Sequence, residues 1–359
     1  VIHDSGFNTS DIPEFSTMTA GTDHPELFPF ATTWWAYILF CLMIIGGLLL
    51  DMRRRGGREQ AVGHREAIIT VVVWISLALL FCAGLYAYGV WKFPLDPRLA
   101  GHDARHLATR CSLEFLSGYL VEKSLSVDNL FIFLVVFDFF AVSEKYRHRI
   151  LFYGILGALI FRGIFIALGS VLMGISWVPL VFGVFLLFTG FKVAFGPESH
   201  PDPSKNILIR ILKRLLPISP NLHGDKFLFR HEGRWFGTPL LVTLVVIEVT
   251  DIIFAVDSVP AIFAITSEPF IVFTSNVFAI LGLRALFFVL AGMVSRFQYL
   301  KYGLGFILCF VGVKMAWLDH HFEERFPTSW SLAIILTALL VSGGVSWVFA
   351  PKNEETLHG

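Results

Sequence analysis

The chain has 359 residues, of which 55% are hydrophobic, with 28 basic and 28 acidic side chains and a mean hydropathy of +0.69. A soluble globular chain of this size cannot hide that much apolar surface, so the composition points to an integral membrane protein with the lipid bilayer as its main partner. The balanced charge names no further partner, and no nucleic acid is expected.

Residues 1–31 read as an outward-facing N-terminal segment. Runs of about 20 apolar residues follow near 32–50 and 67–90, giving two accessory transmembrane helices within 32–90. The first run lacks a basic leader and is followed by Asp51-Met52-Arg53-Arg54-Arg55, as expected of a retained span rather than a signal peptide. Further runs lie near 110–138, 149–170, 176–195, 238–264, 274–294 and 298–317, with a last one near 328–349 inside a final segment 328–350. The expected fold is therefore an all-α polytopic membrane protein of about nine transmembrane helices.

Basic residues set the orientation. The Arg53-Arg54-Arg55 loop should be cytoplasmic, as should 139–148 and the long loop 196–237 with its Lys and Arg residues. That places the N-terminus outside and the C-terminus in the cytoplasm of a cell inner or plasma membrane. The loop at 91–109, with Lys92, Arg98 and Arg105, fits this rule least well. Inside 196–237, "NILIRILKRLL" places Ile207, Leu208, Ile211, Leu212 and Leu215 on one face of a helix, suited to an anionic leaflet or to packing on the spans.

The chain also repeats itself. "ILGALIFRGIFIALG" near 155–169 resembles "FAILGLRALFFVLAG" near 278–292, with Arg162 aligned to Arg284 at an offset of 122. The same offset aligns Gly183 with Gly305 and Gly190-Phe191-Lys192 with Gly312-Val313-Lys314. Upstream, Glu122 stands six residues before Asp128, as Asp251 does before Asp257. Each copy holds three spans, spans 3–5 in 110–195 and spans 6–8 in 238–317. An odd number of spans inverts the second copy, giving a 3+3 inverted-topology repeat of the kind used by secondary transporters.

Within these apolar runs stand Glu122, Asp128, Glu248, Asp251 and Asp257. A charge at the bilayer centre costs roughly 2.5–3.5 kcal/mol on an insertion scale, so each needs a partner or a task. Lys123, Arg162, Lys192, Arg284 and Lys314 could neutralise them as a salt-bridge scaffold. Alternatively Lys192 and Lys314, near span ends, snorkel to water and leave the acids to an ion. Glu114 reads as a rim charge. Asn129 and Ser258, which follow the aspartates, add neutral oxygens, and Pro260 should break its helix near Asp257 and free a carbonyl. Carboxylate, amide, hydroxyl and carbonyl oxygens suit hard dications such as Mg²⁺, Ca²⁺ or Mn²⁺. Asp128 and Asp257 should then lie within about 10 Å of each other to share one ion, with Glu122 and Asp251 lining the approach from opposite sides. Arg162 and Arg284 are expected each to pair with a carboxylate.

No Gly-x-Ser-x-Gly or His-Glu-x-x-His pattern is present, so no enzyme and no bound cofactor are expected. Cys41, Cys82, Cys111 and Cys309 stand singly, without the spacing of a zinc site or disulfide framework. The twelve histidines fall in or beside loops.

"GYLVEKSLSVDNLFIF", "TPLLVTLVVIEVTDIIFAVDSVPAIFAIT" and "PFIVFTSNVFAILGLRALFF" resemble the TerC family of bacterial and plastid membrane proteins, in particular its Alx-like branch, over roughly residues 34–350. The family is linked to tellurium resistance and manganese export, and resembles the larger group of lysine-exporter-type transporters. The resemblance implies Mn²⁺ as the transported ion and Glu122, Asp128, Asn129, Glu248, Asp251, Asp257 and Ser258 as its metal-facing positions. Export of an amino acid or another small cation is an alternative, as is a membrane scaffold that assists metalation of exported proteins.

Overall fold

The computed structural model describes residues 26–55, 64–140, 142–196, 216–219, 224–231, 233–290, 299–318 and 326–349, without the side chains of 49–55, 64, 127, 128, 131, 257 and 290. The described residues are helical almost throughout. The helices are α1 (Phe30–Arg55), α2 (His64–Lys92), α3 (Ala104–Phe139), α4 (Glu144–Met173), α5 (Val178–Phe195), α6 (Pro239–Phe263), α7 (Pro269–Leu281), α8 (Leu283–Leu290), α9 (Leu300–Val313) and α10 (Thr328–Val348). Eight helical stretches among the described residues are long and apolar enough to cross a membrane, α7 and α8 counting as one and α9 running on into the turn that follows it. The 36-residue α3, which carries Glu122, Lys123 and Asp128 within its apolar run, is not among them, but at about 54 Å it is more than long enough to cross. It contributes to three of the hydrophobic clusters of the core.

Burial separates the centre from the lipid face. Buried residues make up 89% of the most apolar part of the α7–α8 stretch, against 17% for α2 and 22% for α1. The two N-terminal helices therefore expose apolar side chains such as Ile38, Leu42, Val72 and Leu80, while α7 is enclosed by α3, α4 and α2. An antiparallel hairpin, β1 (Leu228–His231) and β2 (Arg234–Gly237), lies between α5 and α6 and turns at Gly233 (φ +81°). It is the one sheet among the described residues. The amphipathic stretch around Ile207–Leu215 lies outside the described residues.

Glycines bring α5 and α9 into backbone contact. A Cβ on Gly183 would sit 2.9 Å from the Gly312 carbonyl oxygen, and one on Gly312 would sit 2.7 Å from that of Gly183. Gly190 and Gly305 repeat this, with 2.7 Å in each direction. Since Gly183 aligns with Gly305 and Gly190 with Gly312, exchanging the two sequence copies carries one contact onto the other. Parallel helices would instead pair each glycine with its own counterpart.

Three expectations fail here. The helix does not break at Pro260, since α6 runs unbroken from Pro239 to Phe263. Pro260 stands in the last turn, and its own carbonyl still accepts the Ala264 amide at 3.0 Å. The interruption falls instead at Gly282, between α7 and α8, where a Cβ would sit 2.6 Å from the ammonium nitrogen of Lys123. Lys314 does not snorkel to water. It is buried, opens a five-residue π-helical turn (Lys314–Leu318), and its Nζ donates to Ala264 O at the end of α6 at 2.6 Å. Lys123 does the same to Ala279 O at the end of α7 at 3.2 Å. Terminal carbonyls without intrahelical donors are natural receptors for a cation. Lys192 is exposed.

The third failure is Glu114, which is a buried residue and not a rim charge. Its Oε1 accepts from Arg110 Nε at 2.8 Å and its Oε2 from Thr266 Oγ1 at 2.6 Å. Next to it Glu268, in the short loop before α7, accepts the backbone amides of Leu27 (2.9 Å) and Phe28 (3.3 Å). Phe28 is buried among Tyr88, Phe93 and Phe270. This carboxylate thus clasps the start of the described chain to a loop some 240 residues away.

Candidate functional site

At the centre of the bundle one guanidinium gathers four helices. Arg162 on α4 is 1% exposed and forms a tight ion pair through Nη1 with Glu122 Oε1 on α3. The same nitrogen lies 3.2 Å from Ser258 Oγ on α6 and 3.3 Å from Asn276 Oδ1 on α7. Its Nη2 reaches Asp251 Oδ1 on α6 at 3.4 Å. Asn276 Nδ2 donates to Glu122 Oε2 and Ser126 Oγ to Glu122 Oε1, both at 3.4 Å. Glu122, Ser126, Asn276, Ser258 and Asp251 are all buried.

Helical periodicity explains the convergence. Glu122 and Ser126 are four apart on α3 and share a face, as do Glu248 and Asp251, three apart on α6. Gly157, five residues before Arg162, leaves room for Glu248, because a Cβ there would collide with the Glu248 carboxylate. Glu122 and Asp251 therefore meet on one guanidinium, where opposite sides of an approach were expected. The reason is that α3 and α6 both run unbroken here and pack against α7 and α4 respectively, so the two carboxylates face one interior.

The cluster is not saturated. Asp251 Oδ2, Glu248 Oε2 and Arg162 Nε are buried atoms without a hydrogen-bond partner among the described residues. A cavity of about 20 Å³, room for roughly one water, is lined by Asp251 and Arg284 together with Gly154, Ala158 and Ile247. Arg284 thus lines the same cavity as these α4 residues. Asn129 is buried on α3. Asp128 and Asp257 occupy helical positions on α3 and α6, but their side chains lie outside the described residues, and so does their separation. Among the described residues no group of three or more His, Cys, Asp or Glu side chains comes together to hold a metal.

Sequence reasoning passed over Asn276 and the clasp at Glu268. For Asn276 a signal was present: Thr274-Ser275-Asn276 is a polar triplet inside an apolar run, and all three are fully buried. An amide there needs partners, and Glu122 and Arg162 supply them.

A helical bundle with apolar outer faces and ion-paired, partly unsatisfied charges at its centre defines a polytopic membrane protein with an internal polar site. The family signature described as "Integral membrane protein TerC family" matches residues 107–354, and the chain belongs to this family. It is 42% identical over 319 residues to "Putative membrane-bound redox modulator Alx" of Photorhabdus laumondii, covering 88% of this chain and 96% of that protein. It is 41% identical over 333 residues to "Uncharacterized membrane protein STKORF319" of Myxococcus xanthus, covering 92% and 98%. The Alx protein of Escherichia coli strain K12 is 40% identical over 305 residues, covering 84% and 91%. No solved structure matches the chain.

Proposed function

We propose that the chain exports a divalent metal cation, Mn²⁺ foremost, from the cytoplasm, with protons moving in exchange. The observation that carries this reading is the buried Asp251, which holds Arg162 with one oxygen and leaves the other without a partner. The Arg162 guanidinium that it holds is met by oxygens of Glu122, Ser258 and Asn276, a donor set that suits hard dications. Asp128 and Asp257, each six residues along the helix from Glu122 and Asp251, extend the acidic track by about 9 Å on α3 and on α6. The relatives named Alx carry a redox title. In this chain Cys41, Cys82, Cys111 and Cys309 are single free thiols, and an effect on redox balance follows more simply from moving a redox-active metal.

The proposed setting is a bacterial inner membrane, with the N-terminus outside and 196–237 in the cytoplasm. Purified protein in sealed vesicles holding a Mn²⁺-quenched dye tests the transport. The wild type should quench the dye in a manner dependent on a pH gradient, and Asp251→Asn and Asp257→Asn should not. Normal flux through both variants rejects the carboxylate site. Thiol labelling from outside should fail at Leu222→Cys and succeed at Phe322→Cys, and the reverse result inverts the orientation.

A further inference from the structure

We infer that Arg162 is a tethered occupant of the cation site: its guanidinium holds the position the transported ion takes, and ion and guanidinium displace one another in each cycle. The inference rests on the proposed transport reading and adds to it the residue that sets occupancy. Three oxygens, Glu122 Oε1, Ser258 Oγ and Asn276 Oδ1, crowd around Nη1, which has only two N–H bonds to offer. Such a shell fits a spherical ion better than a planar fork. The oxygens come from three different helices, α3, α6 and α7, and α4 supplies only the cation.

The guanidinium is held at its two Nη ends. Its Nε has no hydrogen-bond partner among the described residues, so no such bond holds the stem of the fork. A second carboxylate lies further along α4. Glu248 packs against α4 at Gly157, one helical turn from Asp251, and its Oε2 is without a partner. The cavity beside Asp251 runs along the α4 face that carries Gly154 and Ala158, eight and four residues before Arg162. Moving from Glu122 toward Glu248, the guanidinium keeps Asp251 as a common partner throughout. Charge balance then favours a dication. Once Arg162 has moved to Glu248, a divalent ion neutralises Glu122 and Asp251 together, whereas a monovalent ion leaves one buried negative charge.

The test is Mn²⁺ binding to the purified full chain by equilibrium dialysis, alongside flux in vesicles, for the wild type, Arg162→Gln and Arg162→Lys. A site filled by its own side chain most of the time loses apparent affinity in proportion, so Arg162→Gln should bind Mn²⁺ about tenfold more tightly or better. Its flux should fall, because nothing expels the ion. Arg162→Lys, a point charge that cannot bridge Glu122 and Asp251 at once, should tighten binding less. Unchanged or weaker binding in folded Arg162→Gln overturns the inference. Should that variant not fold, Arg162→Lys decides alone, tighter binding supporting the inference and equal or weaker binding overturning it. If Arg162→Gln binds more tightly and yet no chain, the wild type included, carries Mn²⁺ across the vesicle, the tethered occupant stands and the export reading falls.

Discussion

Two buried clusters contain carboxylates, and they are built on opposite principles. Around Glu114 and Glu268 every carboxylate oxygen has a partner: Arg110, Thr266, and the amides of Leu27 and Phe28. Around Arg162 the acceptors outnumber the donors on one nitrogen, while Asp251 Oδ2 and Glu248 Oε2 have none. A fully satisfied network fixes a structure, and one left partly unsatisfied in the low-dielectric interior is costly to keep without a use. The first cluster ties helices and a loop together. The second has open coordination, and that difference, more than the number of acids, locates the site.

The comparison breaks most readily through transport. Asp251→Asn should abolish Mn²⁺ flux in vesicles with insertion intact, whereas Glu114→Gln should keep most of it. Equal losses from the two variants would erase the distinction between the clusters. Stability should follow the same order. Glu122→Ala strips Arg162 of its closest partner and should cost about 3–5 kcal/mol, as removal of one member of a buried pair does. Glu268→Ala abandons two backbone amides and should cost about 1–3 kcal/mol. Thermal unfolding in detergent, read against the wild type, orders them. Gly190→Val should destabilise by about 1–3 kcal/mol through overpacking against the Gly305 backbone, with little specific effect on ion affinity.

The smallest effect is expected from pH at the clasp. Burial pushes the Glu268 carboxyl from its ordinary 4.5 up to about 7, with Glu114 and Glu26 pushing the same way and the Leu27 and Phe28 amides pulling against it. A raised carboxyl binds protons more readily docked than released, so docking is fully favoured below pH 4.5 and weakens as pH rises through about 7. Thiol labelling of Leu27→Cys should accordingly quicken between about pH 5 and about pH 8, and the added Glu268→Gln substitution should flatten that rise.

Much of the fold was legible because apolar run length and basic loops report directly on a bilayer. The apolar helices follow the runs, and even the charge-bearing α3 was anticipated near 110–138. The centre was only partly legible. Spacing along α3 and α6 shows which acids share a face, but not that Glu122 and Asp251 meet on Arg162, since that depends on how four helices pack. Pro260 misled because a proline's effect depends on its distance from the helix end, and here the end is three residues away. Glu268 was invisible as a clasp because a loop carboxylate gives no local sign of a backbone partner some 240 residues distant. Lys314 misled for a related reason: a lysine near a span end can reach water or a helix terminus, and the choice is tertiary.

The crossing of α5 and α9 has a mechanical consequence. With carbonyl oxygens set where side chains would otherwise stand, neither helix can slide along the other without driving a larger residue into a backbone. Together they form a keel, stiff along its length and made of one helix from each copy of the repeat. Under the proposed export, rocking that opens the polar centre to one face of the membrane and then to the other would turn α3, α4, α6 and α7 about that keel.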